Sequence, residues 1–211
     1  MKKKLAILVS LLMAMTCLAL TACGSQEEAA EETTEAATET TAAAVDASQY
    51  GYLGDDPVEA AVYEYLATET AKDYELDSET ISIPNVIIIN TKESANGETD
   101  VYGDFWIMNY KVEGDTLKCV SGGNYPGVMH VAADGDACKV TSFDQVGDGS
   151  DFEPTAREIF GDDYDAFMKE YSDDKANEKS RAKILADYVK ANGLEVTKYQ
   201  DEGWDPIDLA L

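Results

Sequence analysis

The stretch Asp100–Val112, DVYGDFWIMNYKV, decides how the rest of the chain is read. Successive side chains of a strand point to opposite faces, so Tyr102, Trp106, Met108, Tyr110 and Val112 share one face. Phe105 and Ile107 put apolar groups on the other. A strand apolar on both sides belongs to a sheet covered on both sides. One helix covers only one face. The second face must meet C-terminal helices, a second chain, or a ligand held in a concavity, with cover from within the chain as the default expectation.

The neighbours of this strand follow a meander. Residues 81–91, ISIPNVIIINT, are β-branched and apolar, and Pro84 marks a sheet edge or a bulge because it donates no hydrogen bond. Asn96-Gly97 turns the chain into the deciding strand. Glu113-Gly114-Asp115 turns it back into TLKCVS, and VMHVAA continues after Gly122–Gly127. Asp134-Gly135-Asp136 then leads to CKVTSFDQV, and Gly and Asp between alternating runs are hairpin signals. Upstream, Asp56-Pro57-Val58-Glu59 reads as a capped helix start, with Glu59 placed to reach back to the cap. Val58, Ala61, Val62, Tyr65 and Leu66 repeat at helical spacing to about Lys72. Downstream, residues 153–160, 164–171 and 177–191 read as helices, residues 194–199 as a short strand, and Trp204, Ile207 and Leu209 as a tail packed on the domain. The predicted fold class is α+β: an N-terminal helix on a curved antiparallel sheet of about four strands, then C-terminal helices.

This element order resembles the cystatin-like fold and its cone-shaped relatives of the nuclear transport factor type, over roughly residues 55–147. It also resembles domains that anaerobic Gram-positive bacteria carry on short lipoproteins of unassigned role. The resemblance implies that Gly122–Gly127 is where the third strand bends.

The N-terminal end carries a different kind of signal. Lys2, Lys3 and Lys4 precede LAILVSLLMAMTCLAL, an uncharged apolar run followed by acidic residues, which is an export-signal pattern. The junction Leu20-Thr21-Ala22-Cys23 resembles the lipobox of bacterial lipoproteins. That resemblance implies a diacylglyceryl group on the Cys23 sulfur and cleavage between Ala22 and Cys23, and two acyl chains, palmitate among them, on one residue are enough for stable anchoring. Residues 1–22 are then a signal peptide and 23–49 a tether. Its run of Glu, Thr and Ala has no apolar stripe to bury and reads as disordered, spanning roughly 25–30 Å by flexible-chain scaling. Residues 50–211 form one domain, 50–147 helix plus sheet and 148–211 a helical extension.

In 50–211, thirty-five acids oppose thirteen Lys and Arg, a formal charge of −22. Such a surface excludes nucleic acid and anionic lipid as natural partners, which both need a basic face.

Cys119 and His130 are the chain's tempting pair, since a nearby histidine stabilises a thiolate. Eleven residues apart along one strand, they meet only if the Gly122–Gly127 break folds the strand back. The competing reading is a strand cysteine and a strand or pocket histidine. A Cys119–Cys138 disulfide needs the same fold-back. No metal motif or cofactor loop is present: the acidic clusters lack the alternation of a calcium loop, and one histidine makes no zinc site. Trp106, Tyr110, Tyr125 and His130 are the candidate lining of a ligand pocket on the concave face. The sequence therefore points to a lipoprotein on the outer face of the cytoplasmic membrane, held there by the lipid on Cys23. Its domain would be a non-catalytic module for an extracellular protein partner. The alternatives are a small-molecule binder using the concave aromatic face, or an enzyme using Cys119 and His130. A closed concave face favours the first, and an open aromatic cavity the second.

Overall fold

The computed structural model describes residues 50–211; the expectations for Ala22, Cys23 and the tether fall outside the described residues. The first helix, α1, spans Pro57–Thr68. Asp56 caps it: its carboxylate accepts the backbone N–H groups of Val58 at 2.8 Å and Glu59 at 3.1 Å. Glu59 does not reach back to the cap as the sequence suggests. Its carboxylate accepts the Tyr52 hydroxyl at 2.6 Å instead.

The fold is α+β, with a mixed sheet of seven strands where the sequence suggests about four. They are β1 Ile81–Glu93, β2 Thr99–Glu113, β3 Thr116–Asn124, β4 Gly127–Asp134, β5 Ala137–Gln145, β6 Lys198–Gln200 and β7 Ile207–Asp208. The difference has two sources. The expected third strand is two strands on one line. Trp106 lies opposite Asn124 and Gly103 opposite Gly127, so β3 and β4 run along the same edge of β2 in unbroken register. Tyr125, inside the break, still donates its N–H to the Phe105 carbonyl at 2.7 Å. The break is a local interruption at Tyr125-Pro126 and does not fold the strand back. The second source is the tail, which adds β6 parallel to β3 and β7 antiparallel to β6. Strand β1 pairs only with β2, so Pro84, which has no N–H, sits on an edge strand.

The two faces of β2 separate as the alternation predicts. Val101, Phe105 and Ile107 join Ala61, Val62 and Leu66 of α1, with Met129 and Val131 of β4, in one core cluster. The other face is covered by the chain itself. It meets α2 Phe152–Phe160, α3 Tyr164–Tyr171 and α4 Asp174–Ala191. At one end the Tyr102 ring meets Phe160 at 6.2 Å, and Phe160 stacks on Phe167 at 4.0 Å. At the other end Tyr110 and Leu117 pack in one cluster with Leu185 and Val189 of α4 and with Tyr199 of β6. Each large side chain fully buried this way contributes roughly 1.5–3 kcal/mol. Tyr50 stacks between Tyr63 of α1 and Tyr188 of α4, with centroids 5.7 and 6.0 Å away, and so joins helices from opposite faces round the β1 edge.

The tail departs from expectation. Leu209 is buried, but Trp204 is 75% exposed and Ile207 38% exposed. Pairing in β6 and β7 holds this segment, with Tyr199 and Leu209 as its anchors. No helix among the described residues is long and apolar enough to cross a membrane.

Candidate functional site

The middle of β2 is where the helical cover is incomplete. The residues α4 buries, Leu185, Ala186, Tyr188 and Val189, all lie in its C-terminal half. Its first turns, DKANEKSR, are polar and cannot seal against an apolar sheet. Helices α2 and α3 cover the Tyr102 end. Between these two covers lies a cleft of about 350 Å³, floored by Asn85, Trp106 and Met108 and walled by Tyr171, Asp174, Asn177, Glu178 and Arg181. The register builds the floor: Asn85 faces Trp106 across the β1–β2 pair, and Ile83 faces Met108.

Beside the cleft floor sits a buried acid. Asp104 is fully buried on the same face of β2 as Trp106. Its carboxylate accepts the Trp106 Nε1–H at 3.0 Å and an amide N–H of Asn124. Burial pushes its pKa up, and the two hydrogen bonds oppose that shift; no Lys or Arg contributes. Asp104 therefore fixes the plane of the indole that floors the cleft. Asn85, only 4% exposed, accepts the Ser180 hydroxyl on Oδ1 at 2.7 Å, which leaves its amide N–H groups to the cleft. The Asn177 Oδ1 atom is buried without a partner. Arg181 commits its two terminal nitrogens to Asp201, in a two-pronged ion pair at 3.1 and 2.7 Å, and lies over the Tyr199 ring at 4.9 Å, while its Nε is buried without a partner. The open charges at the cleft mouth are thus the carboxylates of Asp174 and Glu178.

Of the four pocket candidates from sequence, Trp106 lines this cleft. Tyr110 shares its face but is fully buried in the core. Tyr125 packs with the α1 cluster and exchanges a 2.7 Å hydrogen bond with the Tyr74 hydroxyl. His130 lies opposite Asp100, six residues along β2 from Trp106, about 20 Å at strand rise. There it bonds Asp100 at 2.7 Å and Asp144 at 3.3 Å. The four residues do not come together.

Nor do the cysteines. Cys119 pairs with Tyr110 and His130 with Asp100, ten residues apart on β2, which holds the two roughly 30 Å or more apart despite a one-residue bulge beside Cys119. Cys119 donates its S–H to the Ser121 carbonyl at 3.4 Å, and burial raises its pKa, the opposite of activation. Cys138 lies opposite Ala133 at the far end of β4, and both thiols are free. No cluster of three or more metal-binding side chains occurs among the described residues.

Sequence reasoning missed Asn85, Asp104, Tyr171 and the α4 residues. Two signals were present: a polar residue in the apolar run around Asn85, and an acid beside Phe105 and Trp106 in the central strand. The fold and cleft define an α+β domain with a sheet-floored, aromatic cleft. No family model, no curated protein and no solved structure matches the chain.

Proposed function

We propose that this chain is a membrane-anchored extracytoplasmic lipoprotein, carrying its lipid on Cys23, whose domain binds a small molecule in the cleft over Trp106. The observation that carries the binding reading is an open aromatic floor in a sheet face that the chain's own helices cover at both ends. Its volume is at the small end for ligand sites, and it has the usual mixture of apolar surface and a few placed polar groups. The lipid anchor is supported by the lipobox-like junction alone. Kinship of residues 55–147 with cystatin-like folds is supported by the helix-then-meander order and the interrupted third strand.

The test is a thermal-shift screen of the full chain against a small-metabolite collection. A ligand at a hundred times its Kd stabilises by about 2.7 kcal/mol, which raises Tm by about 5–10 °C for a domain of this size. A true ligand loses this shift in Trp106→Ala. Shifts indifferent to Trp106→Ala would remove the cleft from the function. Radiolabelled palmitate incorporated by the wild type and not by Cys23→Ser is the expected result for the anchor.

A second reading, an extracellular protein partner, has one observation in its favour: Trp204 and Val120 stand 75% and 48% exposed on the β3–β6 side of the domain.

A further inference from the structure

We infer that the ligand of this cleft is a small organic ammonium ion seated on the Trp106 ring; the inference rests on the cleft being a binding site. Three independent features of the lining point the same way. The first is the aromatic floor and wall, Trp106 and Tyr171, which offer π faces to a cation. The second is the acid bonded to the edge of the indole. An indole N–H that donates to a carboxylate has a more electron-rich ring, because hydrogen bonds in a low-dielectric network polarise one another. Asp104 is fully buried and makes this bond at 3.0 Å. It is a positioning residue that also makes the ring a better seat for positive charge. The third is the mouth. Asp174 and Glu178 stand one turn apart on α4, and Arg181, the one basic residue of the lining, is already paired with Asp201.

The remaining polar groups define the other end of the ligand. The amide N–H groups of Asn85, on a residue 4% exposed, make no hydrogen bond among the described residues. The Asn177 Oδ1 is buried without a partner in the same wall, so it adds no positive group to the lining. A primary ammonium with a short apolar or aromatic body fits this distribution, and a ligand oxygen at Asn85 would add to it. An anion does not. The charge of −22 on residues 50–211 favours cations over anions at long range as well.

The test uses three probes of one shape and different charge: 2-phenylethylammonium, 2-phenylethanol and 3-phenylpropionate. Trp204→Phe in the full chain leaves Trp106 as the only tryptophan, so its emission reports the cleft. The ammonium should bind about tenfold more tightly than the alcohol, and the carboxylate least. The double variant Asp174→Asn, Glu178→Gln, checked for unchanged Tm, should lower the ammonium affinity about tenfold and leave the alcohol unchanged. Equal binding of ammonium and alcohol, or tightest binding of the carboxylate, overturns the ligand class while leaving the cleft as a site. If none of the three alters Trp106 emission at millimolar concentration, the ammonium inference is overturned, while the cleft as a site stands or falls separately on the metabolite screen with Trp106→Ala.

Discussion

His130 ties three strands together. Its Nδ1 meets Asp100 of β2 and its Nε2 meets Asp144 of β5, while Glu98 stands close enough to feel its charge. Partial burial alone would lower its pKa, but the hydrogen bonds and charges of Asp100 and Asp144 outweigh burial and raise it. A histidine whose folded pKa exceeds its unfolded value favours the folded state most when protonated. That contribution is complete below the ordinary histidine pKa of about 6.5 and is lost as pH rises through the folded value above it. Urea unfolding at pH 6 and pH 9 should therefore show a smaller pH difference in His130→Gln than in the wild type. An identical difference in the two proteins would refute the linkage. At this scale the sequence was partly legible. Trp106 was found because an indole in an alternating run must face something. Asp104 and Asn85 were not, because a polar residue in an apolar strand looks the same whether it faces water or a sealed core.

Element starts were easier to read than pairings. Asp56-Pro57 marked the beginning of α1, and the cap is the one expected even though Glu59 turned to Tyr52. Asp56→Ala should cost about 1 kcal/mol, measured by urea denaturation; a change below about 0.3 kcal/mol would mean that packing alone holds the helix. The division of the third strand was harder. Glycines and a proline announced a bend, but its size depended on contacts distant in sequence. At Gly127 a Cβ would stand 2.2 Å from the Asp144 carbonyl oxygen, so the close approach of β5 is what demands glycine there. Helix α4 shows the same limit. Its polar first half reads as a solvated helix start, and only the sheet beneath it turns that polarity into a cleft wall.

Across the whole molecule, α4 and the tail are joined by the Arg181–Asp201 pair, with side chains 17% and 34% exposed. Breaking a buried pair costs more than breaking a surface one, because the remaining charge is stranded. Asp201→Asn should lose about 1–3 kcal/mol, less than a fully buried pair because Asp201 is partly solvated. It should also loosen the tail, read as faster hydrogen exchange at Tyr199 than at Phe105. Equal exchange at both would show that the tail is held without the ion pair. The sequence revealed the layers of this architecture, since apolar groups on both faces of β2 required cover on both sides. It did not reveal the parallel addition of β6 to β3. Three residues of strand, Lys198–Gln200, carry too little periodicity to name a partner eighty residues upstream.

That late pairing sets an order on the life of the chain. Tyr199 and Leu209 complete a core that begins at Tyr50 and Tyr63, so this cluster cannot close until the stretch from Tyr199 to Leu209 has been made. A product cut short after α4 would present Tyr110 and Leu117 to solvent with no tail to cover them. Quality-control proteases cleave such exposed segments readily. The β6 segment thereby acts as a late seal: a nascent molecule gains resistance to degradation only once this segment has been made and has docked.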